Sequence, residues 1–242
     1  DFHLGAPNSE QSLVQEKKFV QFLNNIQQDA TRLYILGDLF DFWFEYKRVV
    51  PKGFTRFLGK LVQLSDAGIP IIVFKGNHDM WMQTYLSDEI GCSIYREPQV
   101  FSINEKTFYV AHGDGFGPGD YAYKVLKRVF ENPISKFLFG RVLHANLGQL
   151  LGNTWASHSW KKHEKNDDVY HFESLDKEIL YQYAKEVEAH THHDFYLFGH
   201  RHYAFDEKIN ETSRYINLGD WIQLNTFFEF DGTVGSLKKF EK

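Results

Sequence analysis

The sequence predicts an α/β fold on three observations: short apolar runs of strand character, helical periodicity between them, and polar side chains directly after each run. The runs are apolar at every position, which is typical of strands buried on both faces of a sheet. We therefore expect a two-layered or doubly covered sheet. The four runs lie at residues 33–36, 71–74, 108–111 and 195–198.

Helical periodicity alternates with these runs. Apolar side chains recur every three to four residues near 9–28 and 53–67, and again over 175–190. After Gly199 the pattern changes to short alternating strands separated by turn signals. Such an alternation of strand and helix predicts one α/β domain that spans all 242 residues.

One segment, from about residue 116 to 170, departs from this alternation because its helical periodicity continues without a strand signal. It holds eight Lys or Arg and five Asp or Glu, so it is basic within a chain of net charge −5. We interpret it as a helical cap inserted between two strands and suited to an anionic, partly apolar ligand. Its aromatic residues are expected to pack within the cap or, alternatively, to line an apolar groove. They include Phe137, Phe139, Trp155 and Trp160.

Charge and cysteine content exclude several classes of function. The net charge of −5 argues against a nucleic-acid footprint over the whole surface, because phosphate contacts need a stripe of Lys and Arg. The single cysteine, Cys92, cannot form an intramolecular disulfide, which favours a reducing compartment and a cytoplasmic location. No apolar run has the length of a membrane span or a signal peptide. The chain opens on Asp1, and we expect further residues upstream in the natural protein.

Polar side chains of the metal-ligand type follow the apolar runs. Side chains at the carboxyl ends of strands meet at one edge of an α/β sheet. Carboxylate, imidazole and amide donors together suit two divalent cations that share one carboxylate, with Mn²⁺, Fe²⁺ or Zn²⁺ favoured over Ca²⁺. Each motif alone is more often a turn or a structural histidine, so their ordered recurrence carries the prediction. The set comprises Asp1, His3, Asp38, Asn77, His112, His200 and His202.

These motifs resemble the signature of the calcineurin-like metallophosphoesterases. The resemblance implies a four-layer α/β/β/α sandwich with a helical cap insertion, and two divalent metal ions. The matching motifs are Asp1-x-His3, Gly37-Asp38, Gly76-Asn77-His78-Asp79, His112-Gly113 and Gly199-His200-x-His202.

The resemblance also implies a role for each matching residue. Asp38 would bridge the two ions, and water activated by them would attack phosphorus. Asn77 and His78 would act in catalysis, with His78 neutralising the charge that develops on the phosphate and Asp79 orienting His78. One ion would be held by Asp1, His3, Asp38 and His202, and the other by Asp38, Asn77, His112 and His200.

The chain is also similar to one branch of that family, the UDP-2,3-diacylglucosamine hydrolases of lipid A biosynthesis in Gram-negative bacteria. This resemblance implies cleavage of the diphosphate to UMP and 2,3-diacylglucosamine 1-phosphate, usually with Mn²⁺, under a cap that holds the acyl chains. His78 departs from the branch, because many members have Arg there. The supporting residues are Gly37-Asp38-Leu39-Phe40 with Trp43, His112-Gly113-Asp114 with Asp120 and Tyr123, and Leu218-Gly219-Asp220-Trp221.

Substrate contacts are expected mainly in the cap, where cationic side chains suit a phosphate and apolar ones suit acyl tails. For each Lys and Arg a solvated helix face is the alternative. We expect the cap to contact the cytoplasmic face of the inner membrane peripherally, and we expect no nucleic-acid partner. The expected substrate contacts are Asp120, Tyr123, Lys124, Arg128, Lys161, Lys162 and His200.

Two other classes of function stay open at this point. The chain could be another calcineurin-like phosphoesterase that acts on nucleotides, nucleic acid or phosphoproteins. It could also be a non-catalytic scaffold that keeps the fold for protein binding. Such scaffolds typically lose ligands, whereas all seven ligand residues are present here.

Overall fold

The computed structural model describes residues 1–119, 121–152, 154 and 174–241. A three-stranded sheet has the order β1-β2-β3 and is parallel throughout. Its strands are β1 (Leu33–Ile35), β2 (Ile71–Phe74) and β3 (Ser93–Tyr95).

A five-stranded mixed sheet has the order β4-β5-β6-β8-β7. Its three central strands are parallel, and each edge strand pairs antiparallel with its neighbour. The five strands are β4 (Gln99–Ile103), β5 (Lys106–Val110), β6 (Phe195–Phe198), β7 (Ala204–Lys208) and β8 (Arg214–Leu218). A separate antiparallel pair consists of β9 (Thr226–Phe230) and β10 (Gly235–Lys239).

Helices connect and cover the sheets. Helical residues also occur at 145–152, and a 3-10 turn over Leu175–Lys177 precedes the last helix. The helices are α1 (Ser9–Ile26), α2 (Thr55–Asp66), α3 (Tyr85–Ile90), α4 (Tyr121–Glu131), α5 (Pro133–Val142) and α6 (Ile179–His190).

Alternating side chains of the first sheet divide the interior into two cores. On β2, Ile71 and Val73 pack in one cluster with Phe19 of α1 and Phe57 of α2. The intervening residue Ile72 packs in a second cluster, which lies between the two sheets. Period-two alternation therefore places helices on one face of this sheet and the other sheet on its opposite face.

The five-stranded sheet repeats this division. Phe108 of β5 belongs to the core between the sheets, whereas its neighbour Tyr109 packs with Leu180 and Ala184 of α6. The layers therefore run helix, sheet, sheet, helix, and the predicted α/β/β/α sandwich is confirmed. The four apolar runs coincide with β1, β2, β5 and β6. As expected, β2 and β6 are buried throughout, whereas Leu33 and Tyr34 of β1 are only half-buried.

The starts of α1 and α2 are stabilised by carboxylate and amide side chains. The Asn8 side chain accepts hydrogen bonds from the backbone N–H groups of Glu10 and Gln11. Glu16 Oε1, on α1, accepts from the backbone N–H groups of Arg56 and Phe57 at 2.8 and 3.1 Å. Because Glu16 satisfies N–H groups that have no partner within α2, it fixes the two helices against each other.

Some elements differ from the sequence expectation. The helix expected from residue 175 begins at Ile179, because the Glu178 side chain accepts from the backbone N–H of Leu180 and acts as the N-cap. Strands β3 and β4 and helix α3 were not predicted. Strand β3 is three residues long, and β4 alternates between half-buried and exposed residues, so neither contains an unbroken apolar run.

Helices α4 and α5 and residues 145–152 follow β5, where helical periodicity predicts them. Phe139 packs against Phe44 and Trp81 of the body, with ring centroids 4.7 Å apart in both pairs. Most large apolar side chains of α4 and α5 are instead exposed, among them Tyr121, Val125, Val129, Ile134, Phe137, Leu138 and Val142. The assignment of residues 116–170 as a cap on a single domain stays a prediction. Within the described ranges, no helix combines the length and the hydropathy of a membrane span.

Candidate metal centre

The strand ends bring the predicted ligand residues to one place. Residues 1–4 run beside 38–40, because the backbone N–H groups of Phe2 and His3 both donate to the Asp38 carbonyl oxygen. Ligand atoms of two groups, Asp1 with His3 and His202, and Asp38 with His112 and His200, lie within 4.8 Å of one another in each group. Asn77 joins the second group, since its Oδ1 atom is 3.2 Å from His112 Nε2.

Asp38 lies between the two groups. Its Oδ2 atom is 3.7 Å from His3 Nε2 in the first group and 3.4 Å from His112 Nε2 in the second. In the first group, His3 Nε2 is also 3.3 Å from His202 Nε2. A carboxylate at this position can bridge two cations, as the sequence predicts.

The hydrogen bonding around His112 fits a cation site. His112 Nδ1 donates to the Leu36 carbonyl oxygen at 2.6 Å, which directs Nε2 toward the oxygens of Asp38 and Asn77. Because a neutral imidazole with Nδ1 protonated has a lone pair on Nε2, three electron-rich atoms then face each other. A proton or a cation must lie among them. The pKa of His112 also reflects the need for positive charge at this place. Burial opposes the charged form, but the Asp38 carboxylate favours it, and the pKa is raised.

Asp1 supports the same interpretation. Its Oδ2 accepts a hydrogen bond from the backbone N–H of His200 at 2.7 Å. Its Oδ1 is buried and has no hydrogen-bond partner among the residues that the structure describes. A buried carboxylate oxygen without a partner is costly unless a cation compensates it.

Four of the seven predicted ligands have backbone conformations that side chains rarely adopt. His3 and Asp38 both have φ of +48°, and His200 and His202 have φ of +66° and +56°. Each such residue stores backbone strain, and residues of this kind cluster at functional sites. The side chains of these four residues all belong to the two ligand groups.

Two glycines allow the loops to approach closely. A Cβ atom at Gly37 would lie 2.5 Å from His112 Nδ1 and 2.8 Å from the backbone nitrogen of Gly76. A Cβ atom at Gly76 would lie 2.6 Å from the backbone nitrogen of Asp38 and would also collide with its carboxylate. The Gly-Asp and Gly-Asn motifs therefore have glycine because a side chain would displace Asp38 and His112.

His78 lies beside the first group and is held by Asp41. Its Nδ1 donates to the Asp41 carbonyl oxygen at 2.8 Å and is 3.5 Å from Asp41 Oδ1, which is also 3.4 Å from His3 Nδ1. Although burial opposes the charged form, the carboxylates of Asp38 and Asp41 raise the pKa of His78 to about 9. These two carboxylates therefore favour the charged form of His78.

Asp41 is a site residue that the sequence analysis missed, and the expectation that Asp79 orients His78 was wrong. The Asp79 carboxylate accepts from the backbone N–H groups of Leu39 and Gly76 at 2.8 and 2.7 Å, so it fixes the two ligand loops instead. The position of Asp41, three residues after Asp38, is the signal that could have found it.

Arg96 is a second residue that the sequence analysis missed. Its Nη1 and Nη2 atoms donate to the Asp114 carboxylate at 2.7 and 2.6 Å, and its Nε donates to Glu131 of α4 at 2.6 Å. Asp114 also accepts from the Tyr123 hydroxyl at 2.7 Å. This network joins α4 to the loop that follows His112.

The expected substrate contacts fall into three groups. His200 is part of the ligand cluster. Tyr123 and Lys124 are half-buried on α4, where Lys124 Nζ donates to the Gly117 carbonyl oxygen at 2.6 Å, and Arg128 is exposed on the same helix. Asp120, Lys161 and Lys162 lie outside the described residues, as do Trp155 and Trp160.

The fold and the site are those of a known class of hydrolases. Residues 1–222 match the Metallophos family, the calcineurin-like phosphoesterases, and the chain belongs to this family. Over its whole length it is 37% identical to a UDP-2,3-diacylglucosamine hydrolase of Porphyromonas gingivalis, 95% of which is covered. It is 28% identical to the hydrolase of the same name from Ectopseudomonas mendocina, with 93% of this chain and 91% of that protein covered.

Proposed function

We propose that the chain hydrolyses UDP-2,3-diacylglucosamine in lipid A biosynthesis. Water attacks the phosphorus next to uridine, the bond to the bridging oxygen breaks, and UMP and 2,3-diacylglucosamine 1-phosphate leave. The observation that carries this proposal is the convergence of seven carboxylate, imidazole and amide side chains on two adjoining groups. Similarity over the full length to hydrolases of that name supports the choice of substrate.

Two divalent cations, most suitably Mn²⁺, fit this donor set. A mixture of imidazole, carboxylate and amide ligands suits Mn²⁺. When bound, the cations supply positive charge to the phosphate and activate water for attack. Asp38 would contact both of them. The first would also be held by Asp1, His3 and His202, and the second by Asn77, His112 and His200.

The surroundings of two histidines of the site shift their pKa values in opposite directions. Burial and the neighbouring His112 lower the pKa of His200 to about 3, so His200 stays neutral and can donate its lone pair. His78 Nδ1 donates to the Asp41 carbonyl oxygen, so its Nε2–H is left to donate to a phosphate oxygen, and the Asp41 carboxylate favours the charged form of the ring. His78 thus supplies the charge that a developing phosphorane needs, next to the ligand Asn77.

The lipid-bearing half of the substrate is proposed to lie against the cap. The exposed apolar side chains of α4 and α5 offer a surface for acyl chains, and cationic side chains on the same helices offer partners for the sugar phosphate. The residues proposed for contact with this half are Asp120, Tyr123, Lys124, Arg128, Lys161 and Lys162.

We also propose that the protein works in the cytoplasm, at the surface of the inner membrane. Exposed apolar residues beside Arg128 and Arg141 are the composition of a helix that binds an anionic membrane surface. Phe137→Asp and Val142→Asp should reduce cosedimentation with vesicles of anionic phospholipid. Val234→Asp is the matched control, because Val234 is 58% exposed in the loop between β9 and β10. Equal cosedimentation of all variants would contradict the membrane contact.

The activity is tested by incubating the purified chain with Mn²⁺ and UDP-2,3-diacylglucosamine and measuring UMP. We expect release by the wild type and loss of release in Asp38→Ala and Asn77→Ala, which each remove a ligand. Full turnover by either variant would contradict the metal centre. Turnover of only an aryl phosphate diester or a cyclic nucleotide would favour another phosphoesterase activity. Fewer than one bound metal ion per chain after reconstitution would favour a non-catalytic scaffold.

A further inference from the structure

A cavity of about 800 Å³ adjoins the metal centre. The first residues of α1 and α2, Ser9 and Thr55, line it, and Gln149 from the cap faces it. Asp41 forms part of its wall, and the same Asp41 carboxylate contacts His3 and His78. Asp41 is therefore shared by the cavity wall and the surroundings of the proposed ligand His3.

The walls of the cavity do not suit a phosphate. Two carboxylates, Glu16 and Asp41, lie in them. The helix starts that could bind an anion are already occupied, because Asn8 accepts from the first N–H groups of α1 and Glu16 accepts from those of α2. A phosphate inside the cavity would face these two carboxylates without free N–H donors at the helix starts, and the cationic Lys52 and Arg56 are exposed at the rim.

The walls do not suit a pair of acyl tails either. Apolar residues line part of the cavity, namely Leu4, Ala6, Pro7, Leu13, Phe42, Pro51 and Phe54, but Ser9, Ser12, Thr55 and the charged residues Glu16, Asp41, Lys52 and Arg56 line it as well. Burial of an alkyl chain against these groups would remove their hydration without replacing it. The exposed apolar surface of α4 and α5 is the better match for the tails.

A flat, neutral and polar molecule fits these walls. Phe42 and Phe54 line the cavity with apolar side chains, and Phe54 has φ of +55°, a left-handed conformation that bulky residues rarely adopt. Ser12 Oγ accepts from the backbone N–H of Gly5 at 2.7 Å, which leaves its hydroxyl hydrogen for an external acceptor. Lys52 and Arg56 are exposed at the rim and carry further donors.

We propose that this cavity, the nucleoside cavity, binds the uridine half of the substrate. A pyrimidine ring can lie against the phenylalanine rings, with its carbonyl oxygens facing hydroxyl and cationic donors and the ribose hydroxyls facing carboxylates. The phosphates then extend past Asp41 to the metal centre, and the diacylated sugar lies on the cap side. This inference rests on the proposed function and assigns the nucleotide end of the substrate to the body of the fold.

The proposal is tested with tryptophan substitutions at the rim of the cavity, which would partly fill it. Ser9→Trp and Thr55→Trp replace exposed residues at the first positions of helices, where a large side chain does not disturb the core. Lys17→Trp and Asp66→Trp are the matched controls, because both positions are exposed on the same helices and do not line the cavity. All four variants are assayed with Mn²⁺ for turnover and for inhibition by each product.

We expect Ser9→Trp and Thr55→Trp to raise the KM for UDP-2,3-diacylglucosamine and the inhibition constant of UMP by about tenfold or more, equivalent to at least 1.4 kcal/mol of binding. Inhibition by 2,3-diacylglucosamine 1-phosphate and turnover of bis(p-nitrophenyl) phosphate, which lacks a nucleoside, should match the controls. Unchanged inhibition by UMP would overturn the proposal. Weaker inhibition by the lipid product alone would assign the cavity to the lipid half and would also overturn it.

Failure of the proposed function can be recognised separately. If the wild type cleaves bis(p-nitrophenyl) phosphate but not UDP-2,3-diacylglucosamine, the cavity is tested by saturation-transfer NMR with UMP. Transfer to the uracil protons in the wild type, and its loss in Thr55→Trp but not in Asp66→Trp, supports a nucleoside site with a different substrate. Absence of transfer in the wild type overturns it.

Discussion

The proposed metal ligands are positioned by residues that are not ligands themselves. The Asp41 carboxylate is within 3.5 Å of nitrogen atoms of both His3 and His78, and it is 8% exposed. Carboxylates behind ligating histidines fix the orientation and the tautomer of the imidazole. Asp41 is therefore a positioning residue for one proposed ligand and for the proposed catalytic imidazolium.

Asp41→Asn should weaken Mn²⁺ binding by about 10–100-fold, the usual effect of losing a carboxylate behind a ligating histidine. The expected cause is a neutral amide that holds His3 less firmly, whereas the backbone carbonyl oxygen of Asp41 still accepts from His78. Mn²⁺ titration of activity and of bound metal measures the effect, with Asp66→Asn on the exposed end of α2 as the control. Unchanged Mn²⁺ affinity in Asp41→Asn would refute the positioning role.

Gly76→Ala should abolish activity, because the added methyl group would displace the Asp38 backbone and carboxylate. Gly59→Ala is a matched control within α2, where a Cβ atom meets nothing within 4 Å. Gly59→Ala should stabilise the fold by about 0.5–1 kcal/mol, since alanine loses less conformational entropy in a helix than glycine does. Assays of UMP release and urea unfolding test both expectations, and an active Gly76→Ala enzyme would contradict the account of Asp38.

Among the elements, α4 depends on charge for its position. Its apolar residues are largely exposed, so burial contributes little there. Arg96 connects Glu131 of α4 to Asp114, and Lys127 of α4 also approaches Asp114, at 3.2 Å. The Asp114 side chain is only 3% exposed, which makes this network a buried one.

Arg96→Met should destabilise the fold by on the order of 3 kcal/mol, because it leaves the buried Asp114 charge without its bidentate partner. Lys238→Met is the control: its ion pair with Glu229 is nearly half exposed, so its loss should cost less than about 1 kcal/mol. Urea unfolding gives both values, and limited proteolysis shows whether α4 is released. Equal losses in the two variants would contradict the distinction.

The end of α6 is held by Glu188, a group that makes stability depend on pH. Burial would raise the pKa of Glu188, but hydrogen bonds from His192 and Tyr196 hold it well below its usual range. A lowered pKa in the folded state stabilises the fold above the pKa of an unfolded glutamate, about 4.3, and this stabilisation is lost as the pH falls further.

Glu188→Gln should lower the urea midpoint at pH 6 and flatten its decline between about pH 5 and pH 3, because the titrating carboxylate is absent. Glu211→Gln, at a side chain 95% exposed, should leave the pH profile of the wild type unchanged. A Glu188→Gln profile parallel to that of the wild type would show that other carboxylates dominate the acid response.

At the scale of the whole molecule, the proposed metal ligands come from both sheets. Asp38 and Asn77 follow strands of the three-stranded sheet, and His112, His200 and His202 follow strands of the five-stranded sheet. Bound cations would therefore connect the two inner layers across the core. The cations bind the folded state only, since the unfolded chain does not gather these donors.

Mn²⁺ should raise the unfolding temperature, with a gain of about 2.7 kcal/mol when its free concentration is 100 times the Kd. Scanning calorimetry with Mn²⁺ and with a chelator measures this gain. Asp38→Asn should lose most of the response, because Asp38 lies between both groups. An identical response in this variant would contradict the shared carboxylate.

Sequence reasoning was most successful where burial is extreme. Strands such as Ile71–Phe74 contact a core on each face, so their composition alone reveals them, and the polar residues after them mark the site. Asp41 and Arg96 could not be inferred in the same way, because their partners come from distant parts of the chain. The helices α4 and α5 follow from periodicity, but periodicity does not show that their apolar faces are exposed.

The left-handed conformations of His3, Asp38, His200 and His202 have a consequence for descendants of this chain. Glycine at any of these positions would relax the backbone by roughly 1–2 kcal/mol while removing a donor. A descendant that no longer needs catalysis would thus gain folding stability with each of these donors that glycine replaces. Each reversal would lose that stability again. Selection for folding stability, in addition to random mutation, would then favour loss of the metal centre.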